Sequence, residues 1–426
     1  MDFDDTPEEA AIRLDARRFL DAHAARRPVD DSSHLAAHRP NTIEADRRHR
    51  IEAADWQQTK LAGGWGAPAW PVEQGGRGLG PHLAAIFAEE ERDYDVRARY
   101  FQVGLEMVGP TLLAHGSAPQ LERFLQPLLR GDEMWCQLFS EPGAGSDLAG
   151  LATRAVRDGD EYVISGQKVW TTAAHLAEFG ILLARTDPDV PKHRGISAFL
   201  VDMSTQGIDV RPLRQIDGAV HFSEVFFDEV RVGAGALVGG LNAGWGVALT
   251  MLNFERSAIG GGGMIEWPQI VNLARDHGVV VSAVGRDRTG APKSGADAGV
   301  VTARQDLARL WSRLEILRFL GYRVRTAITR GEPLGPESSV MKLAVSGFYE
   351  DVGNVLMSLQ GADGMLWGDA DPNGGVYTGI FLAQWAPRIG GGTDQVQRNI
   401  IGERVLGLPP EARPDKAAPF KDLPRS

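Results

Sequence analysis

Three short stretches hold residue types that could do chemistry. The first is the turn Glu141-Pro142-Gly143-Ala144-Gly145-Ser146, followed further along by Trp170-Thr171-Thr172. Its backbone N–H groups are available to a ligand, and loops of this kind favour anionic or carbonyl oxygens. The second is Glu255-Arg256, near the end of an apolar run that begins at Ala248. At helical spacing Glu255 shares the face of Ala248, Met251 and Leu252. A carboxylate there would be partly desolvated, which raises its pKa toward the operating pH of a general base. The third is Gly390-Gly391-Gly392, just before Thr393.

Each stretch has a plainer alternative. The turn could be a Gly-Pro surface turn, Trp170 a packed core tryptophan, and Glu255 a surface carboxylate beside a solvated arginine. Other candidates read as bland. Cys136 lies in an apolar stretch and reads as a buried inert thiol. His34 and His38 could share a helix face, but read as solvated histidines near Pro40. No metal site is expected. The sequence has no P-loop, no Gly-x-Gly-x-x-Gly between a strand and a helix, and no Gly-x-Ser-x-Gly. Those absences disfavour a nucleotide phosphate loop, a Rossmann site and a nucleophile elbow.

Composition narrows the class further. The 426 residues include 45 Lys and Arg against 56 Asp and Glu, a net charge of −11. That balance argues against nucleic acid as a partner. One cysteine excludes an internal disulfide framework and suits a reducing compartment. The start is acidic and lacks an apolar core, unlike a secretory signal. No apolar run of about 18 residues occurs, so no membrane span is expected. The expectation is a cytoplasmic protein. The 51 glycines exceed the usual share near 7%. Gly260 to Gly263 would each cost about 1 kcal/mol against alanine inside a helix. They suggest either room for a bulky group or a simple helix break.

The elements that must position these residues follow an α, β, α order. Helices are expected at 43–62, 82–94 and 104–130, after one that starts at Pro7 with Thr6 as cap. Short β-type runs follow near residues 162, 179, 197 and 225, in an antiparallel barrel or sandwich. Helical spacing returns at 303–330, where Leu307, Leu310, Leu314, Leu317 and Val324 recur. It returns again at 337–360, 374–386 and 393–406. The stretch 285–299 reads as a loop and 413–426 as an irregular basic tail. The expected domains are 1–133, 134–240 and 241–410, with the tail at 411–426.

Cys136 to Leu151, the Gly166 to Ala174 segment, Phe222 to Val232 and Gly391 to Gly407 together resemble signatures of the acyl-CoA dehydrogenase family. The likeness runs in the family's order over nearly the whole chain. It implies an α+β multidomain fold, with an N-terminal helical domain, a middle antiparallel β barrel and a C-terminal four-helix bundle. It implies FAD, with Phe139 and Ser140 at the flavin pyrimidine edge. Gly145 and Ser146 would flank the cofactor and the pantetheine end of the substrate. Trp170 would cover the isoalloxazine, with Thr171 and Thr172 near its N5 and O4. Thr393 and Gln395 match the cofactor positions of the C-terminal signature. Gly361 matches too, although Ser358 stands where the family's glutamine falls.

Most members place the catalytic glutamate at the position of Gly391, and glycine cannot take a proton. Isovaleryl-CoA and long-chain members instead carry the base in a Glu-Arg pair on a helix, which Glu255-Arg256 resembles. The resemblance then implies α,β-desaturation of an acyl-CoA, with Glu255 taking the α-proton. Gly391 N–H and a flavin ribityl hydroxyl would bind the thioester carbonyl. Asn253, Arg256 and Ser146 would lie on the substrate side. Electron-transfer flavoprotein is the implied acceptor. A homotetramer or homodimer is the implied assembly, or an α2β2 heterotetramer as in some actinobacterial members that oxidise branched, aromatic or steroid side-chain acyl-CoAs. The alternatives are an acyl-CoA oxidase and a subunit with little activity alone.

Overall fold

A computed structural model describes residues 5–27, 42–98, 100–259, 267–277, 298–329, 337–367, 370–371, 374–412 and 414–424. Gly260 to Gly263, His34, His38 and most of the 285–299 loop lie outside these residues. The chain divides into two compact units. The first comprises the described parts of Met1–Arg26, Pro40–Ile259 and Pro410–Ser426, and the second those of Arg27–Arg39 and Gly260–Pro409.

The first unit opens with helix α1 (Pro7–His23). Thr6 Oγ1 accepts from Glu9 N at 3.2 Å, and the Glu9 carboxylate accepts from Thr6 N at 2.8 Å. This reciprocal cap explains why the helix starts where Thr6-Pro7 predicts. Helices α2 (Ile43–Ala62) and α3 (Pro81–Glu91) follow. The expected 104–130 helix is interrupted. A π-helical turn at Val103–Val108 leads into α4 (Gly109–His115), and α5 (Ala118–Arg130) starts anew. Ser117 and Gln120 form a second capping box there, with Pro119 in the first turn. Those start signals outweigh the continuous apolar spacing.

Eight strands make one sheet: β1 (Trp135–Leu138), β2 (Arg154–Asp158), β3 (Glu161–Thr172), β4 (Phe179–Arg185), β5 (Ile196–Asp202), β6 (Ile208–Leu213), β7 (Phe222–Gly233) and β8 (Leu237–Val238). Their order is β6-β7-β3-β2-β4-β5-β8, with β1 also paired to β4. Most pairs are antiparallel, as expected. However, β1 runs parallel to β4, and β2 meets β4 in parallel at Arg154 and Arg185. One face buries Leu138, Ile164, Leu182, Phe199, Val225 and Val230.

Helix α6 (Gly244–Ile259) closes this unit. It packs on β5 and α4, and Val247, Ala248 and Met251 are buried. A Cβ at Gly244 would fall 2.4 Å from the Ser197 carbonyl carbon, so only glycine lets the helix approach that strand. His115 and Thr250 hydrogen-bond at 2.8 Å and tie α4 to α6. The tail segment also docks here. Phe420 N donates to Val190 O at 2.9 Å, and the Phe420 ring lies 3.8 Å from the Arg185 guanidinium.

The second unit holds α7 (Trp267–Asp276), α8 (Ala298–Thr329), α9 (Glu337–Gln360), α10 (Val376–Ala383), α11 (Trp385–Ile389) and α12 (Asp394–Ile400). Ile270, Leu273, Leu307, Leu310, Phe348, Val352 and Leu356 form its core, with Leu314 and Leu317 packed against it. The first four positions of the stripe read from the sequence therefore face this core, with Leu307 and Leu310 buried and Leu314 and Leu317 half-buried, while Val324 lies outside the cluster. Helix α12 runs on into a π-helical turn at Ile401–Val405.

Candidate flavin and substrate site

The Glu141 to Ser146 turn is exposed at Gly143, Gly145 and Ser146, while Phe139 and Ala144 anchor it in the core. Glu141 is the staple. Its carboxylate accepts from Ala152 N at 2.7 Å, Thr153 N at 2.9 Å and Lys168 Nζ at 2.7 Å. Lys168 is fully buried on β3 and also donates to Phe139 O at 2.9 Å. Burial pulls the ammonium from 10.5 down to about 8, only partly offset by Glu141. For Glu141, burial pushes the carboxyl up, but Lys168 and the donors around it outweigh that and hold it below 4.5. At neutral pH both groups are charged.

Lys168 was missed in the sequence because a lysine in a strand reads as solvent-facing. Its register was legible: Tyr162 and Ile164 point inward, and Lys168 falls on the same period-2 face. Arg185 also emerges only from the structure. It donates to Ala149 O at 2.7 Å and Leu151 O at 3.1 Å, just past the turn. Burial lowers its guanidinium to about 10.

Beyond Lys168, the pairing of β3 with β7 slips between Lys168 and Thr171. Such a bulge re-aims side chains. Trp170 sits there at φ +59°, a left-handed conformation that a bulky residue seldom adopts. Its indole is 61% exposed and meets Phe222 edge-on at 5.9 Å. The packed-core reading of Trp170 therefore fails. Thr171 turns the other way and is buried, and among the described residues its Oγ1 has no hydrogen-bond partner. Thr172 is half-buried. An exposed aromatic face, an unanswered hydroxyl and a turn exposed at Gly143, Gly145 and Ser146 fit a flat heterocycle with polar edges.

Glu255 belongs to the same unit. It is half-buried on α6, one turn past the buried Met251 and beside Leu252 and Phe254, which pack on the core. That core also contains Phe139 and Ala144, so the turn and the Glu255 helix rest on shared packing. Asn253 is exposed on the same helix, and Arg256 is described only by its backbone. Cys136 is fully buried, with Sγ 3.9 Å from Met203 Sδ, and burial drives its thiol far above the usual range. The inert reading of that residue stands.

The remaining residues lie in the second unit. Gly361 follows α9 at φ +56° and is exposed. Gly391 and Gly392 form a left-handed turn at φ +63° and +87°. Thr393 caps α12 by accepting from Val396 N at 3.2 Å, and Gln395 is exposed. Gln397, not singled out in the sequence, is buried and donates from Nε2 to Gly391 O at 2.9 Å. The described residues hold no cluster of His, Cys, Asp and Glu suited to a metal. No described helix is long and apolar enough to cross a membrane.

Residues 6–132, 136–230 and 242–406 match the families described as acyl-CoA dehydrogenase N-terminal, middle and C-terminal domains. The chain belongs to the acyl-CoA dehydrogenase family, FAD-dependent oxidoreductases acting on CH–CH donors. It is 38% identical over 366 residues to acyl-CoA dehydrogenase IpdE1 of Mycobacterium tuberculosis, covering 85% of this chain and 89% of that one. Among solved structures it is similar to a Tcur3481-Tcur3483 steroid ACAD, with a TM-score of 0.79 and 29% identity. That match covers 96% of this chain and 100% of the other. It is also similar to the ChsE4-ChsE5 complex of Mycobacterium tuberculosis, with a TM-score of 0.73 and 28% identity, covering 96% and 100%.

Proposed function

We propose that this protein desaturates an acyl-CoA thioester to the trans-2-enoyl-CoA, with Glu255 as the base for the α-proton. The observation that carries the reading is a coincidence of two positions. Gly391 stands in the C-terminal signature where most relatives keep a carboxylate, and Glu255 sits half-buried on α6 against the core.

The other roles are those that the family resemblance implies. Trp170, Thr171, Thr172, Phe139, Ser140, Gly145 and Ser146 hold the flavin half of the cofactor, and Gly361, Thr393 and Gln395 are the family positions that serve the cofactor of a neighbouring subunit. When bound, FAD supplies the acceptor for the β-hydride. Gly391 N–H donates to the thioester carbonyl. An oxyanion donor of this kind is worth about 3 kcal/mol. Asn253, Arg256 and Ser146 border the substrate. We assign the domains to 1–133, 134–240 and 241–410, with a tail at 411–426.

The substrate class we assign is a bulky acyl group, of branched or steroid type. The solved relative titled a steroid ACAD supports this choice. Electron-transfer flavoprotein is the acceptor we assign. The relative titled a ChsE4-ChsE5 complex supports a second reading of assembly, in which this chain works with an unlike subunit. In that arrangement Glu255 marks it as the base-carrying partner. Anaerobic titration of the FAD-loaded protein with acyl-CoAs of increasing bulk tests the function. Bleaching of the flavin absorbance by bulky acyl-CoAs is expected. Spectra unchanged by every acyl-CoA, with and without a partner subunit, would contradict it. A peroxide assay under air separates a dehydrogenase from an oxidase.

A further inference from the structure

The amide proposed as oxyanion donor sits in a run of three glycines. Gly390, Gly391 and Gly392 follow one another, the last two at φ +63° and +87°. Glycine loses more conformational freedom on ordering than any other residue. Oxyanion donors act only when they are pre-aimed, within about 0.5 Å of the productive geometry. Something outside the turn must therefore restrain it.

Gln397 is placed to do so. It is 2% exposed, and its Nε2 donates to Gly391 O at 2.9 Å. A Cβ at position 392 would fall 2.7 Å from that same Nε2, so Gly392 leaves the space the amide needs. The helix that carries Gln397 is itself anchored. Thr393 Oγ1 caps it, and buried Asp394 lies 3.2 Å from Lys342 Nζ and 3.0 Å from Arg388 Nε. Burial pushes the Asp394 carboxyl up, but Lys342 and Arg388 overcome that and keep it ionised.

A hydrogen bond on the Gly391 carbonyl fixes the peptide plane between residues 391 and 392. It therefore restrains the ψ of Gly391, one of the two torsions that separate this plane from the peptide that carries the Gly391 N–H. We infer that Gln397 is a positioning residue, which aims the Gly391 amide at the substrate thioester from a distance of one peptide. This rests on the role proposed above for Gly391. Gln397 does not touch substrate; it acts through the backbone.

The test uses the full FAD-loaded chain with Gln397→Met and Gln397→Glu. The probes are the acyl-CoA that bleaches the wild-type flavin most fully and its enoyl-CoA product. Gln397→Met should lower kcat by about 100-fold, the scale of losing an oxyanion donor, with KM little changed. The C=O stretch of bound enoyl-CoA, read by infrared difference spectroscopy, should move back toward its value in solution. Gln397→Glu should regain activity relative to wild type as pH falls, because a neutral carboxyl donates where a carboxylate repels the carbonyl. That rescue also serves if Gln397→Met does not fold. Unchanged kcat and C=O stretch in Gln397→Met, or a Gln397→Glu ratio flat with pH, would overturn the inference and leave the desaturase reading intact. Failure of every acyl-CoA to bleach the wild type would instead overturn both.

Discussion

Lys168 Nζ lies 2.7 Å from Glu141 Oε1, with the two side chains 0% and 9% exposed. This contact joins β3, which carries Trp170 and Thr171, to the turn that carries Ser140 to Ser146. Removing either partner strands the other charge out of water, which costs about 3–5 kcal/mol. Glu141→Gln and Lys168→Met should each lower the unfolding free energy by that amount in denaturant titrations. The double variant should lose less than the sum of the two. Fully additive losses would mean the pair is not coupled.

The same pair predicts how stability depends on pH. Glu141 is held below its ordinary 4.5, so its contribution is complete above pH 4.5 and is lost as pH falls below that value. Lys168 sits at about 8, below its ordinary 10.5. Between those values the unfolded chain still binds a proton that the folded chain has released. Its contribution therefore rises with pH across that window. Stability measured from pH 8 to 10.5 should climb less steeply in Lys168→Met than in wild type. Equal slopes would contradict the assignment.

Thr171 and Trp170 should separate cofactor binding from folding. Thr171 buries a hydroxyl that no described residue answers. Thr171→Val should stabilise the FAD-free protein by about 1 kcal/mol while weakening FAD binding. Trp170→Ala removes a ring that is 61% exposed, so the FAD-free melting temperature should hardly move while FAD dissociates more readily. Fluorescence titration with FAD, paired with thermal melts, reads both effects. Equal loss of stability and binding would argue for a packing role.

Cys136 should be silent toward thiol reagents in the native state, because it is fully buried and its thiol is held protonated. Labelling by a chromogenic disulfide should be slow in buffer and fast in denaturant. Fast native labelling would show that β1 opens readily.

Much of the fold was legible because its signals are local. Thr6-Pro7 with Glu9 marks the start of α1, and the leucines of α8 mark its buried face. Ser117 was equally readable as a cap, yet the apolar spacing across it suggested one unbroken helix. The parallel pairing of β1 with β4 joins residues far apart in sequence, and no local pattern encodes it. In the site, Trp170, Glu255 and the glycine turn stood out as chemical types. Lys168 and Gln397 did not, since their importance lies in which carbonyl they reach across the fold. A lysine on the inward face of a strand was the one available hint.

The most direct measurement of the central claim is anaerobic mixing of Glu255→Gln with the acyl-CoA that bleaches the wild-type flavin. The amide side chain keeps the shape of the glutamate but cannot take the α-proton. The variant should bind FAD as wild type does and show the spectral shift of acyl-CoA binding, with flavin bleaching slowed by at least about 1000-fold, within the range that general-base catalysis contributes. Bleaching at the wild-type rate would show that another group takes the proton and that Glu255 is not the base.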